Sequence, residues 1–317
     1  MRFEEKRVQI DRIDPSDDTY RITTESGIDR LIDSIQIVGL INFPILIRKD
    51  QEFTIISGFR RIAACSVLGW TNIDVRIVDP RIPLLESANL AISENIFQRT
   101  LNLVEQSRVV RLLSTFYDSD HILAKKTAHF GLPDSPSFTK KIKQICLLPQ
   151  PIQSGVLSNA ISFAMALELH TLAEKTGAMF ANLFVRLKLS LNKQREIVMH
   201  AKEISRREDI SILKVFEEGG IEEILNNEDL DQREQTQRIR SYLEQRRFPT
   251  VVARKKKVKN FVNNLKLGKN TKLIPSKYFE DPTFTLKLHF KDSDGLKGHR
   301  ATLEKVIQNF SVETVDG

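Results

Sequence analysis

Apolar positions along the chain fall into three regimes. Between residues 8 and 78, short β-branched runs at 8–13, 43–48, 53–56 and 73–78 alternate with helical spacing at 26–38 and 60–68. In the first of these helices Ile28, Leu31, Ile32, Ile35 and Val38 mark one face, and Gly39 stops it. From Leu101 strand patterning ceases. The spacing predicts helices over 105–117, capped by Asn102 with Val109, Leu112, Leu113 and Phe116 inward, and over 121–130, 138–148, 176–216 and 221–225. Beyond a polar, acidic linker at 226–231 come a charged helix over 232–247, ended by Phe248-Pro249, and a second helix over 250–265. Strands over 270–275 and 283–290 and a helix over 296–310 close the chain. The pattern predicts a multi-domain protein, mainly α with α/β ends, divided at 1–100, 101–230 and 231–317.

Composition narrows the class. At 317 residues the chain can bury more than one core, and 41% hydrophobic with 28% charged residues is ordinary for a soluble protein. No apolar run approaches the ~18 residues needed to cross a bilayer, and Met1-Arg2-Phe3-Glu4-Glu5-Lys6-Arg7 lacks the apolar core of a secretion signal. A cytoplasmic location with no membrane contact is expected. Cys65 and Cys146 stand far apart with no Cys/His cluster near either, which offers neither a disulfide framework nor a zinc site, and both are read as buried packing residues. A net charge of +7 fits a polyanionic partner, although diffuse surface charge gives the same sum.

Candidate chemistry begins where Ile55-Ile56 breaks at Ser57-Gly58 into the helix bearing Phe59, Arg60 and Arg61. Ser and Gly let the backbone turn there, and a new helix presents unpaired N–H groups together with the positive end of its dipole, a setting that suits phosphate. Arg60 and Arg61 project about 100° apart, so one can grip a polyphosphate while the other reaches a second anion. An ordinary N-capped helix with two solvated arginines is the alternative. Further on, Glu94-Asn95 sets a carboxylate beside a carboxamide, oxygen ligands of the kind Mg²⁺ takes, against the plainer reading of a helix-surface acid and a solvated amide.

These two segments, in this order, resemble the boxes of ParB-family partition proteins, whose first reads G-E-R-R-x-R-A and whose second reads E-N-x-Q-R followed by L-N-x-x-E. The resemblance runs from about residue 8 to residue 105 and implies a small ParB/sulfiredoxin-like α/β domain. It implies that Ser57, Gly58, Phe59, Arg60, Arg61, Arg21, Glu94 and Asn95 bind CTP, with Glu94 and Asn95 on its Mg²⁺. The chain departs from the boxes at three places: Phe59 replaces the usual Glu, Thr19-Tyr20-Arg21 keeps only the Arg of a Gln-Pro-Arg, and Phe97-Gln98 stand where an ungapped alignment expects Gln-Arg. A phosphate cradle is therefore expected, with at most a weak CTPase.

In the middle, two short helices joined by a turn make a helix-turn-helix candidate. Its second helix would place Phe138, Ile142 and Ile145 inward and carry Ser137, Thr139, Lys140, Lys141, Lys143 and Gln144 toward DNA. The Leu-Pro and Ile-Ser that follow resemble the same family over 123–172. Arg254-Lys255-Lys256-Lys257 cannot share one helix face, so Lys255, Lys256 and Lys257 are either solvated or on a polyanion. Helix, strand, strand, helix at the end resembles the family's αββα dimerisation module, and Phe284, Leu286, Leu288 and Phe290 give one strand face more apolar surface than two strands can cover. The resemblance implies a homodimeric, nucleoid-associated clamp on a palindromic double-stranded DNA site, switched by CTP, in chromosome or plasmid segregation; it admits a ParA-like ATPase as partner. Two other readings are a ParB-like transcriptional regulator without a nucleotide switch and an enzyme of a related domain. No cysteine in the box favours a sulfinic acid reductase, and no paired-carboxylate cluster favours a nuclease.

Overall fold

The computed structural model describes residues 2–268, 270–275 and 283–309. The chain packs as two compact units, 1–191 and 192–317. In the first unit β1 (Phe3–Gln9), a 3-10 turn (Ile10–Arg12) and β2 (Ile13–Asp14) precede α1 (Asp29–Val38), β3 (Ile45–Lys49), β4 (Glu52–Ser57), α2 (Phe59–Val67), β5 (Asn72–Val78) and α3 (Leu84–Ile96). The five strands form one sheet in the order β1-β5-β3-β4-β2, with β3 antiparallel to β4 and parallel to β5. The run expected as a strand at 8–13 is instead β1 followed by the 3-10 turn. β1 is an edge strand in which only Val8 is buried, so it carries little hydrophobic period, and its charged Glu4, Glu5, Lys6 and Arg7 guard the open edge.

Both faces of the sheet are covered, which is why β3 and β4 read as continuous apolar runs. Leu46 and Ile55 join Ile35 of α1 and Ile62 and Cys65 of α2 on one face. Ile45, Ile47 and Ile56 meet Ala88 and Ala91 of α3 on the other, with Leu112 and Phe116 packed against them. Cys65 is fully buried as expected, while Cys146 is only half-buried.

The helical remainder of the first unit runs through α4 (Leu103–Leu113), α5 (Asp120–Ala128), α6 (Pro136–Ile142), a 3-10 turn (Ile145–Leu147), α7 (Gln150–Leu157), α8 (Phe163–His170) and α9 (Glu174–Leu187). α4 begins as predicted at Asn102, whose side chain accepts from the Glu105 N–H while the Glu105 carboxylate accepts from the Asn102 N–H, a reciprocal capping box. That carboxylate has no exposed surface. Its Oε1 accepts from the Thr24 N–H at 2.8 Å and from Arg99 at 2.6 Å, and its Oε2 accepts from Arg99 at 2.7 Å. One acid thus ties the 23–25 loop, the 99–102 turn and the start of α4.

The second unit holds α10 (Leu191–Glu208), α11 (Ile212–Glu218), α12 (Ile221–Asn226), α13 (Gln232–Arg247), α14 (Pro249–Asn264), β6 (Thr271–Pro275), β7 (Phe284–Leu288), α15 (Ser293–Gly298) and α16 (Arg300–Asn309). α13 has the predicted bounds and its own capping box, Asp231 with Glu234. The expected divisions at 100/101 and 230/231 do not coincide with the boundary at 191/192. The 226–231 linker is bridged inside the second unit, where Gln235 donates to the Leu225 carbonyl at 3.2 Å and Tyr242 to the Val215 carbonyl at 2.8 Å. Pro249 ends α13 and also opens α14 at its first turn, where its missing N–H costs nothing. β6 and β7 pair antiparallel, and Leu273 with Val306 of α16 and Leu265 forms a small core against Phe284 and Leu286. Phe290 lies past the strand and is 52% exposed. The helix predicted over 296–310 is split into α15 and α16, and its last residue, Phe310, lies outside the described residues, as does the end of the predicted 231–317 domain.

Two consequences follow for stability. Gly58 has φ +100°, and a Cβ there would stand 2.9 Å from both Cα and Cβ of Pro44, whereas Gly69 has φ +75° with nothing within 4 Å. Gly58→Ala is expected to lose about 2–4 kcal/mol in urea unfolding, and Gly69→Ala only about 1 kcal/mol, from its backbone alone. Burial pushes the Glu105 carboxyl up, but hydrogen bonds from Arg99, Thr24 and Asn102 outweigh it and leave the pKa lowered. A lowered folded pKa gives stability that is complete above the unfolded value of about 4.3 and fades as pH falls through the folded value. Glu105→Gln is therefore expected to lose about 2–4 kcal/mol at neutral pH and to show a shallower acid limb than the parent chain in pH-dependent unfolding.

Candidate functional site

β4 delivers Ser57 to the edge of a turn that Gly58 completes in the left-handed region, and α2 starts directly after it. Gly58 is the N-cap and makes no side-chain cap bond, so the first-turn N–H groups of α2 have no side-chain partner. That turn opens on a cleft of about 540 Å³. The structure brings Ser57, Gly58, Phe59, Arg60, Arg61, Glu94 and Asn95 onto its walls, so the two boxes converge.

Each guanidinium is held by the scaffold. Arg61 donates to the carbonyls of Asn42 at 2.8 Å and Phe43 at 3.2 Å, and lies 3.5 Å from the Ser57 hydroxyl. Burial lowers the Arg61 pKa, with the charge of Glu94 opposing. Ser57 Oγ is 3.4 Å from Glu94 Oε2, a long contact that leaves the carboxylate free to take a stronger partner. Asn95 donates to the Ala91 carbonyl at 2.8 Å, so its side-chain oxygen is the group left for a ligand. Arg60 pairs with Glu25 at 2.5 Å and donates to the Gly27 carbonyl at 3.0 Å, which fastens the 25–27 loop over the start of α2.

Two expected residues sit differently. Phe59, where the resemblance has Glu, is 9% exposed and belongs to the core under the sheet, so it forms an apolar edge of the cleft and no metal ligand. Arg21 is off the cleft wall. Asp18 captures its guanidinium at 3.0 Å, and that group lies 5.2 Å from the Phe59 ring centroid.

Sequence reasoning missed Glu25, Asn42, Arg76, Gln98 and Arg99, which also line the cleft. Arg99 is the most telling. Phe97 is the C-cap of α3 and 80% exposed, whereas Gln98 and Arg99 after it line the cleft, which fits a Gln-Arg pair displaced by one position from the ungapped alignment. Allowing one inserted residue after Ile96 would have found it. Arg99 pairs with Glu105 at 2.6 Å and with Glu25 at 3.3 Å. The cleft walls carry four guanidinium groups, Arg60, Arg61, Arg76 and Arg99, against two carboxylates, Glu25 and Glu94, an excess that draws a polyanion. Arg76 is also 3.3 Å from Glu5.

The helix-turn-helix candidate is formed by α5 and α6. Ser135 caps α6 by accepting from the Phe138 N–H, and Pro136 occupies its first turn. α6 is shorter than the 138–148 predicted, ending at Ile142 before the 3-10 turn. Ser137, Lys140, Lys141 and Gln144 are exposed at i, i+3, i+4 and i+7, a single outward face, and Lys143 is half-buried. Thr139 is corrected: it is 1% exposed, and its hydroxyl has no hydrogen-bond partner among the described residues. The inner stripe is Thr139, Ile142 and Ile145, with Phe138 half-buried and its ring 6.1 Å from that of Phe163. In the second unit Lys255 pairs with Glu244 at 2.8 Å, while Lys256 and Lys257 are exposed on α14.

No three His, Cys, Asp or Glu side chains among the described residues are grouped to hold a metal, and no helix among them is long and apolar enough to cross a membrane. Residues 3–96 match the family model for the ParB N-terminal domain. A nucleoid occlusion protein of Bacillus cereus (strain B4264) is 28% identical over 140 residues, 44% of this chain and 46% of that protein, so the chain spans about half the length of such relatives. A probable chromosome-partitioning protein ParB of Campylobacter jejuni is 27% identical over 196 residues, 62% of this chain and 68% of that one. Among solved structures, a C-terminally truncated ParB of Caulobacter crescentus complexed with CTP-gamma-S covers 57% of this chain and 99% of its own at 19% identity, with a TM-score of 0.27, too loose a superposition for any feature to be carried across. Over residues 3–96, then, the chain is similar to the ParB N-terminal domain.

Proposed function

We propose that this protein is a DNA-binding partition protein whose amino-terminal cleft takes CTP with Mg²⁺ and whose α5–α6 unit takes a palindromic double-stranded DNA site, acting as a homodimeric clamp. The observation that supports this most is the convergence of the two boxes on one cleft with an uncapped helix start at its edge. Names carried by relatives, nucleoid occlusion and chromosome partitioning, agree with it. The residues fit the ligand: the first-turn N–H groups of α2, Arg60, Arg61 and Arg99 would hold phosphates, and Glu94 with the Asn95 side-chain oxygen would face the cation. Glu94 and Asn95 would hold Mg²⁺, which would supply neutralisation of the triphosphate charge.

The chain's own part in a switch is to exchange partners. Glu25 now occupies Arg60 and Arg99. Arg60 and Arg99 would move to phosphate oxygens of a bound triphosphate, and the 25–27 loop, released from them, would change the surface open to a second copy. The partly buried apolar face of β7, at Phe284, Leu286 and Leu288, supplies a carboxy-terminal joint for the homodimer, and a ParA-like ATPase remains a candidate partner. A regulator that binds DNA without a nucleotide switch is the second reading, and the buried Phe59 favours it, because the box loses a carboxylate there.

Titrating the full chain with labelled CTP, with and without duplex DNA, separates the two: saturable, Mg²⁺-dependent binding supports the switch, and none leaves only the regulator. Arg61→Ala is expected to weaken CTP at least about tenfold, the value of one charge-assisted bond. On DNA, Lys140→Ala should weaken binding about equally across sequences and reduce the salt slope by about one. Gln144→Ala should instead relax sequence preference by about 1–3 kcal/mol, read by competition between specific and random duplexes.

A further inference from the structure

Tyr20 and Ile22 line the nucleotide cleft and also a second cavity of about 570 Å³, a volume suited to a small ligand. Three guanidinium groups reach this second cavity, those of Arg21, Arg108 and Arg111. The one carboxylate on its wall, Asp18, is already engaged by Arg21 at 3.0 Å. Arg108 and Arg111 lie three residues apart on α4 and therefore on one side of it. Among the described residues no acid stands within ion-pair distance of either. Arg108 is half-buried and donates only to carbonyls, that of Thr23 at 2.6 Å and that of Ile22 at 3.4 Å. Burial lowers its pKa and the charge of Arg21 lowers it further, against the opposing charges of Asp18 and Glu105.

The rest of the wall is apolar: Leu84, Leu112 and Phe116 face the same space. Like charges beside a low-dielectric wall repel strongly, and a folded chain normally supplies a counterion. Here the one carboxylate on the wall, Asp18, is held by Arg21, so Arg108 and Arg111 have no ion pair of their own among the described residues and an anionic ligand can take that position. We propose that this cavity is a second phosphate site, separate from the first cleft, taking a nucleotide whose phosphate meets Arg108 and Arg111 and whose flat ring lies against Leu112 and Phe116. A duplex backbone fits less well, because Arg108 is recessed and the wall beside it is oily, whereas a backbone phosphate arrives with its bases stacked inside the helix. The inference does not depend on the first cleft holding CTP.

Cys146 lines this cavity and is half-buried, while Cys65 is fully buried with its thiol pushed up to about 11 by that burial. The chain has no other cysteine, so maleimide labelling, read by peptide mass spectrometry, reports on this cavity through Cys146. The full chain would be labelled alone and with ATP, CTP, inorganic pyrophosphate or a short duplex. Nucleotide at ten times its dissociation constant should slow Cys146 labelling by about tenfold. Pyrophosphate, lacking the ring, should need a higher concentration for the same protection. Arg111→Gln, at an exposed position that tolerates the change, should abolish protection with the unfolding midpoint unchanged, and Arg61→Gln in the first cleft should leave it intact. The proposal is overturned if no nucleotide protects, if protection survives Arg111→Gln, if Arg61→Gln removes it, or if only the duplex protects.

Discussion

A fully buried carboxylate must be surrounded by donors or it will not stay charged, and Glu105 is the one acid among the described residues in that position. One donor, Thr24, is distant in sequence, while Arg99 and the Asn102 backbone come from the turn just before α4. Satisfying one charge therefore fixes the loop beside the cleft, the turn after α3 and the first turn of α4 together. Arg108, one helical turn further along α4, adds its bond to the Thr23 carbonyl. The α/β part and the helical part of the first unit are locked to each other by polar groups that have no better partner, rather than by apolar packing alone.

The same lock shapes the cleft's electrostatics. Arg99 is shared between Glu105, which is buried and permanent, and Glu25, which is about half exposed and displaceable. Arg60 is likewise committed to Glu25 and the Gly27 carbonyl. The pair at Glu25 is weak and solvent-screened, while the strong pair at Glu105 keeps Arg99 in place. Arginines that can change partner without changing position suit repeated binding and release.

Much of the fold was legible because it rests on local rules. The Asn102 cap, the Gly58 turn and the bounds of α13 come from residues that act within a few positions, and β6 and β7 are legible from their alternating apolar residues. What escaped was set by long-range partners. β1 carries no hydrophobic period because it lies at the sheet's edge. Arg21 pairs with Asp18 off the cleft wall, and Thr139 falls on the buried side of α6 with Ile142 and Ile145. The polar 226–231 stretch looked like a linker, yet Gln235 and Tyr242 on α13 bond back across it. Composition cannot tell a hinge from a tight corner.

The exposed Phe97 has a bearing on how such proteins diverge. A residue added in the middle of α3 would rotate every later side chain by about 100° and carry Arg99 away from the cleft wall. Added where the helix frays into a turn, it costs one solvent-facing aromatic ring and leaves the downstream hydrogen bonds in phase. The end of α3 is thus the place where this chain could absorb a change of length while Arg99 keeps its pairing with Glu105.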